Sequence, residues 1–416
     1  MGMFDFLRKA SETSRLLVVN PGQPKWTPRN YTSFAKEAYS YNVVAYQSIN
    51  RIGDAIATID FDVWKDDKPV EGPHPLKELW KKPNAQQAGG EYIRAVIGYL
   101  MIAGNSYAEQ VTGEGGRPVE LHVPRADRMK VVPDAEGLVA SYVYKHNGKQ
   151  VRWDVDPLTG KGDILHLKTF NPLDDYYGMS PVEAGAFAID QHNESMKWMQ
   201  ALLQNSARPS GALVAKEGSV LGDEQFSRLK AQIEDQYSGA ANAGRPMLLE
   251  NGLSWQQMGF SPNDMGALET KFSSARDVAL AFGVPAQLLG IPGDNTYSNY
   301  REARLAFYED TILPLLGYLL GEFNSWFQEP FDGAYLKPDM DNIPAIAEKR
   351  QELWDAIDSS SELTINEKRE AKGYPALETV VPGEDGNRLL APQQRNTAAL
   401  NTDEGKAIAA RLAFGT

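Results

Sequence analysis

The side chains able to do chemistry are few and scattered. The 416-residue chain has five histidines, His74, His122, His146, His166 and His192, and no cysteine. No two histidines share a helical spacing and no His-Glu-x-x-His string occurs, so a zinc site would have to be assembled from isolated residues. The lack of cysteine excludes disulfides and thiolate metal sites, and fits a reducing compartment. Two carboxylate pairs, Asp154 with Asp156 and Asp174 with Asp175, have the chemistry to hold a divalent cation or to act as acid and base. Both lie among turn residues, where aspartate accepts hydrogen bonds from the backbone just ahead of it, and the turn role is the one we expect. Pro157–Gly162 looks like a phosphate loop but fails at both ends: Val155 stands where the first glycine belongs, and Gly162 follows Lys161 where a hydroxyl would ligate magnesium. No Gly-x-Ser-x-Gly elbow is present. One catalytic reading stays open, a metal-dependent nuclease or hydrolase built from Asp154, Asp156, His166, Asp174 and Asp175.

The elements that would carry such groups are legible from caps and periodicity. Val44, Ile49, Ile52, Ile56 and Ile59 follow a roughly helical spacing and end before a strand at Phe61–Lys65. A second helix is predicted over Gly90–Ala103. Ser106–Val111 and Glu120–Val123 flank a glycine-rich turn. Ser141–His146 and Lys149–Val155 flank Asn147-Gly148, a type I′ signal because both residues tolerate positive φ. Ser180-Pro181-Val182-Glu183 reads as a capping box that opens a long helix to Gln204. A strand at Gly211–Ala215, an amphipathic helix over Gly222–Tyr237 and a hairpin of Pro246–Glu250 with Leu253–Met258 follow. Ser261-Pro262 is predicted to cap a helix whose seam is Leu268, Phe272, Ala275, Ala279 and Phe282, stopped by Gly283 and Pro285. Pro285–Ser298 reads as irregular, and Asn299 as the start of a helix to Phe327 that Pro314 kinks. Shorter helices are predicted at Ala345–Asp358 and after the box Thr364–Glu367, with order lost beyond Gly373.

Composition bounds the function. Hydrophobic residues make up 42% of the chain and charged residues 23%, enough core material for a globular fold. No apolar run is long enough to span a bilayer, and the first residues carry neither a signal-peptide core nor the hydroxyl residue of a myristoylation motif, so we expect no membrane contact. The net charge of −13 argues against a protein that grips DNA through phosphate neutralisation. It is compatible with a wall past which DNA must slide.

An ordered series of short strings carries a family likeness. They are His74-Pro75-Leu76 with Lys82-Pro83-Asn84; Ala103-Gly104-Asn105-Ser106-Tyr107; Asp163-Ile164-Leu165-His166; Tyr177-Gly178-Met179-Ser180-Pro181; Arg208-Pro209-Ser210-Gly211; Phe282-Gly283-Val284-Pro285 with Leu288-Leu289-Gly290; Ser298-Asn299 ahead of Thr311-Ile312-Leu313-Pro314; and Leu363–Glu370. Together these resemble the portal protein family of long-tailed bacteriophages, including gene-transfer-agent portals, over about residues 40–390. Most are caps, stops or turns, so they fix architecture rather than chemistry.

The resemblance implies an α+β portal-type subunit. It has an N-terminal arm (1–40), a wing of helix and antiparallel sheet (41–179), a first stem helix (180–207), an α/β clip (208–260), a second stem helix (261–284), a tunnel loop (285–298), a kinked long helix returning to the wing (299–344), and a crown with a loose tail (345–416). It implies a homo-oligomeric ring, a dodecamer, in the virion at one capsid vertex, assembled in the bacterial cytoplasm. The ring would conduct double-stranded DNA without sequence preference, and would contact the terminase large subunit, a head–tail adaptor and the major capsid protein. No cofactor, metal or catalytic residue is implied. The DNA-facing candidates are Gln287, Asp294, Asn295, Thr296, Tyr297 and Asn299, a stretch without Lys or Arg. The docking candidates on the clip are Glu224, Arg228, Lys230, Glu234 and Asp235, and the ring-contact candidates on the first stem helix are Ala186, Met196 and Met199. A different phage structural protein, of tail or baseplate, is the remaining alternative.

Overall fold

The computed structural model describes residues 26–113, 115–204, 211–215, 224, 227, 228, 231, 253–257, 266–293, 296–340, 343–372 and 374. The chain enters through α1 (Tyr31–Phe34), which runs on as a π-turn over Ala35–Ser40. This stretch is helical and packed, with Phe34 and Ala38 buried in the main core. Asn42 then caps α2 (Val43–Ala57), its side-chain oxygen accepting from the Val44 and Ala45 N–H groups at 3.1 and 3.0 Å. β1 (Phe61–Lys65) and β2 (Lys68–Pro69) follow, then α3 (Pro75–Lys81) and α4 (Gly89–Ala103).

Six strands come next: β3 (Asn105–Thr112), β4 (Pro118–His122), β5 (Met129–Pro133), β6 (Val139–His146), β7 (Lys149–Asp154) and β8 (Ile164–Lys168). They make two three-stranded antiparallel sheets, ordered β4-β3-β8 and β5-β6-β7. The β6–β7 turn has φ 48° at Asn147 and 76° at Gly148, the double positive φ that the Asn-Gly pair signals.

The predicted helix from Ser180 is two helices. Ser180 caps α5 (Pro181–Ala184), accepting from the Glu183 N–H at 2.9 Å, and the chain breaks at Gly185 before α6 (Ala186–Gln204). β9 (Gly211–Ala215) pairs antiparallel with β10 (Leu253–Gln257), so β10 has a partner other than the predicted 246–250 strand, which lies outside the described residues. α7 (Ala267–Ala281) starts after Gly266, whose φ of 58° is left-handed, and the Ser261-Pro262 cap lies outside the described residues. α8 (Tyr297–Ala306) is capped by Thr296, not Asn299. It passes through a π-turn over Phe307–Ile312 into α9 (Leu313–Phe327). Pro314 sits in the first turn of α9 and lacks an N–H, and the wider π-turn ahead of it absorbs the missing bond. β11 (Tyr335–Pro338), α10 (Pro344–Ser359) and α11 (Ile365–Ala371) finish the described chain.

The core joins distant segments. β1 pairs with β11 in the register Phe61↔Pro338 to Trp64↔Tyr335, which ties residues near 60 to residues near 335. Ile52, Ile56, Ile97, Leu100, Phe323 and Phe327 are fully buried together, and Trp80 packs edge-on against Phe323 at 5.2 Å between centroids. A smaller cluster of Tyr107, Met129, Val131, Tyr142 and Ile164 lies between the two three-stranded sheets.

Candidate functional site

The segment joining α7 to α8 is better anchored than its sequence suggests. Ala286–Leu289 form a 3-10 turn, and Leu288 and Ile291 are buried in the main core. Three side chains from other elements hold its root. Arg51 of α2 donates to the Leu288 carbonyl at 2.8 Å, Arg276 of α7 donates to the Pro292 carbonyl, and the Thr311 hydroxyl donates to the Gly283 carbonyl at 2.6 Å. The irregular part is therefore shorter than the predicted Pro285–Ser298. Gln287 is half-buried within the 3-10 turn, while Asp294 and Asn295 lie outside the described residues. Thr296 is the α8 cap, its Oγ1 accepting from the Asn299 N–H at 3.3 Å, which puts Tyr297 and Asn299 in the first helical turn. Tyr297 is 85% exposed, the most exposed ring in this region. The sequence argument missed Arg51 and Arg276: the segment carries no basic residue, but its root is held by two guanidinium groups, one from α2 far back in the chain and one from the preceding helix α7. Beside it, α2 and α8 enclose a cavity of about 370 Å³ lined by Arg51, Asp54, Leu288, Tyr300 and Arg304.

The helices α6 and α7 form a close pair. A methyl on Gly185 would stand 2.9 Å from the Ala281 Cβ, so α7 packs closely against the break between α5 and α6. Ile189 on α6 and Ala275, Val278 and Ala279 on α7 are buried between them and the core. Of the predicted ring-contact residues, Ala186 is buried within its own chain, Met196 is exposed and Met199 is half-buried. Phe187 and Trp198 on α6 and Leu268 and Leu280 on α7 are also exposed, so the pair presents apolar side chains on both helices. Leu268 thus leaves the predicted seam.

A polar joint fixes α6 to α1 and α2. The Asn42 amide donates to Asn193 Oδ1 at 3.0 Å and to His192 Nδ1 at 3.2 Å, and the Asn193 amide donates to the Glu37 carbonyl at 2.9 Å. Burial lowers the His192 pKa, with a contribution from nearby Lys271, which keeps Nδ1 free to accept. Asp190 accepts from the Thr27 N–H at 2.9 Å and from its hydroxyl.

Two of the family-like strings meet face to face. Gly104, at φ 70°, terminates α4, and a methyl on Gly178 would fall 2.1 Å from the Gly104 carbonyl oxygen. The Asn105 side chain grips the same place: Oδ1 accepts from the Gly178 N–H at 2.8 Å, and Nδ2 donates to the Gly178 carbonyl at 3.2 Å. His166 Nε2 donates to the same Oδ1 at 3.0 Å, and its ring stacks on Tyr107 at 4.3 Å. Burial pushes the His166 pKa down to about 3, so the ring is neutral and acts as a structural donor.

Three of the four carboxylates of the catalytic reading make local contacts. Asp156 accepts from the Leu158 N–H and the Thr159 hydroxyl, both at 2.9 Å, and Asp174 accepts from the Tyr176 and Tyr177 N–H groups at 2.8 and 2.9 Å. Asp154 pairs with Arg152 at 2.7 Å. Among the described residues, no group of three or more His, Asp or Glu side chains is arranged to hold a metal. No helix among them is long and apolar enough to cross a membrane. Of the docking candidates, Glu224 and Arg228 are helical and exposed, whereas Lys230, Glu234 and Asp235 lie outside the described residues.

Comparison with known proteins supplies the context for this geometry. The family model described as "Phage portal protein" matches residues 43–373. An uncharacterized protein of Rickettsia bellii (strain RML369-C) is 41% identical over 344 residues, covering 82% of this chain and 89% of its own length. The probable portal protein of Streptomyces phage phiC31 is 28% identical over 348 residues, covering 80% of this chain and 74% of its own. Among solved structures, a chain of the neck of a native gene transfer agent (GTA) particle, computed with C12 symmetry, superposes with a TM-score of 0.65 at 43% identity. The match covers 85% of this chain and 96% of that one.

Proposed function

The chain belongs to the phage portal protein family, and we propose on that premise that it forms a twelvefold ring at one vertex of a capsid. The ring conducts double-stranded DNA during packaging and ejection and connects head to tail. One observation carries this reading above the rest: nearly the whole of a neck subunit solved with C12 symmetry aligns to this chain at 43% identity.

In this reading residues 41–179 and 299–344 form the wing, α5 and α6 the first stem helix and α7 the second. The clip spans 208–260 between them, the tunnel loop lies between α7 and α8, and residues from 345 form the crown. Tyr297 stands at the loop's exit, where an exposed ring meets the strand without charge. The loop has no basic residue of its own, so it contacts the phosphate backbone sterically and releases it. The exposed Met196 and Trp198 of α6 and Leu280 of α7 suit contacts between neighbouring stems. Family members of this kind are structural, and the ring supplies no catalysis. The terminase large subunit brings the ATPase and docks on the clip, through Glu224 and Arg228 among others, before a head–tail adaptor takes the same place. The major capsid protein surrounds the wing. Subunits assemble in the bacterial cytoplasm and end in the virion.

Native mass spectrometry of the purified protein tests the reading. A species near twelve times 46.0 kDa is the expected result. Monomer alone across a wide concentration range would remove the ring, and with it the portal role.

A further inference from the structure

Between β8 and α5 the chain forms a finger whose tip is apolar. Phe170 is 86% exposed and Leu173 is 91% exposed, values unusual for large apolar side chains in an ordered segment. The finger is held on all sides. The Asn171 side-chain oxygen accepts from the Leu173 N–H at 3.0 Å, and its amide donates to the Tyr177 carbonyl at 2.9 Å. Asp174 closes the next turn on the Tyr176 and Tyr177 N–H groups. Tyr176 donates its hydroxyl to the Gly137 carbonyl at 2.9 Å, and the Tyr177 hydroxyl accepts from the Val131 N–H at 2.9 Å, stapling the finger to the β5-β6-β7 sheet. Lys168 donates to the Asp175 carbonyl at 2.6 Å at its base. A rigid loop with solvent-exposed apolar side chains is preorganised for contact, since little conformational entropy remains to be lost on binding.

A second exposed apolar face lies at the start of α2. Tyr41, Val43 and Tyr46 are exposed there, and the Lys36 ammonium lies 5.6 Å from the centre of the Tyr41 ring. The finger is acidic, with Asp174 and Asp175 exposed beside Leu173, and the α2 face carries an exposed lysine beside its rings. The two surfaces are complementary in both apolarity and charge. A cyclic ring needs two different patches that meet head to tail, one from each neighbour.

We propose that the 170–175 finger of one copy seats on the Tyr41–Val43–Tyr46 face of the next copy in the ring. This rests on the ring reading above. Lys36 meets the carboxylates of Asp174 and Asp175 at the edge of the contact, and Phe170 and Leu173 fill its centre.

The absence of cysteine makes the test clean. Val43→Cys and Leu173→Cys are introduced together, and the rings are oxidised and run on a denaturing gel without reductant. The expected result is a ladder extending beyond dimer, because each copy carries both halves of the contact, whereas each single variant stops at dimer or shows none. Ring formation is read independently by mass photometry, and folding by circular dichroism. Rings that form normally but give no ladder overturn the finger contact and leave the portal reading standing. A folded parent that never forms rings overturns both. In a second arm, Phe170→Asp with Leu173→Asp should lower the ring fraction at least tenfold at equal concentration. Unchanged rings that instead fail to bind another particle protein would assign the finger to that protein and refute the proposal.

Discussion

Gly178→Ala is the sharpest perturbation of the joint between the sheet of β4-β3-β8 and the start of α5. The added Cβ would lie 2.1 Å from the Gly104 carbonyl oxygen, 2.7 Å from the Thr169 nitrogen and 2.8 Å from the Thr169 oxygen. All three neighbours are backbone atoms, so no side chain can swing away. An ordinary contact begins at 3.4 Å, so the two segments must part by about 1 Å. That parting stretches the bonds that close the joint: Gly178 N–H to Asn105 at 2.8 Å, Asn105 to the Gly178 carbonyl at 3.2 Å and Thr169 N–H to the Gly104 carbonyl at 3.0 Å. Overpacking costs about 1–3 kcal/mol, and each weakened bond adds about 0.5–1.5 kcal/mol. The sum of about 2.5–7.5 kcal/mol should lower the melting temperature by roughly 3–9 °C for a cooperative unit of this size, at about 2.1 cal/mol/K of unfolding entropy per residue. Thermal unfolding followed by tryptophan fluorescence at a fixed scan rate reads the shift. Gly317→Ala is the control: nothing lies within 4 Å of its added Cβ and the residue is mid-helix, so it should be neutral or stabilise by up to about 1 kcal/mol. If Gly178→Ala melts within about 2 °C of the parent, the joint is not the tight contact described here.

Asn42→Ala removes the α2 cap and leaves His192 and Asn193 without their buried partner, which should cost about 2–4 kcal/mol by urea denaturation; a midpoint equal to the parent's would place the joint elsewhere. His166 has its folded pKa lowered to about 3 from 6.5, so the unfolded chain takes up a proton first as pH falls. Its contribution is complete above pH 6.5 and is lost as pH drops toward 3. Between pH 6.5 and 4.5 the parent should therefore lose about 2–3 kcal/mol more than His166→Gln, at about 1.4 kcal/mol per pH unit; parallel stability curves would contradict it. Lysines at Asn295 and Tyr297 should slow packaging, most strongly at low salt, by adding phosphate attraction around the ring. Thr296 is left intact because it caps α8. Faster packaging would refute a collar that works by steric fit.

What the sequence made legible was written in short-range chemistry. Asn147-Gly148 sets its own hairpin. Thr364 and Glu367 form a reciprocal box, with the Glu367 carboxylate accepting from the Thr364 N–H at 2.8 Å. The β1 strand was bounded correctly because the apolar spacing of α2 ends abruptly before it. What stayed hidden depends on contacts that exist only once the chain is folded. Gly185, where the helix breaks, lies against Ala281 of α7, a neighbour that local sequence does not reveal. The 104 and 178 strings read as separate punctuation, yet they are two halves of one contact. Arg51 and Arg276 carry no signal of their own, and their role exists only where the fold brings them to the Leu288 and Pro292 carbonyls. Thr296 and Asn299 are both good caps by residue type, and only the backbone path selects between them. The carboxylate pairs needed geometry to separate turn chemistry from metal chemistry.

The central claim is a ring with an axial passage, and class averages from electron micrographs of the purified protein test it most directly. The account predicts end-on views with twelvefold symmetry and a central opening wide enough for a DNA duplex, and side views with a narrow stem below a broad wing. Particles without rotational symmetry, or closed rings with no axial opening, would contradict it.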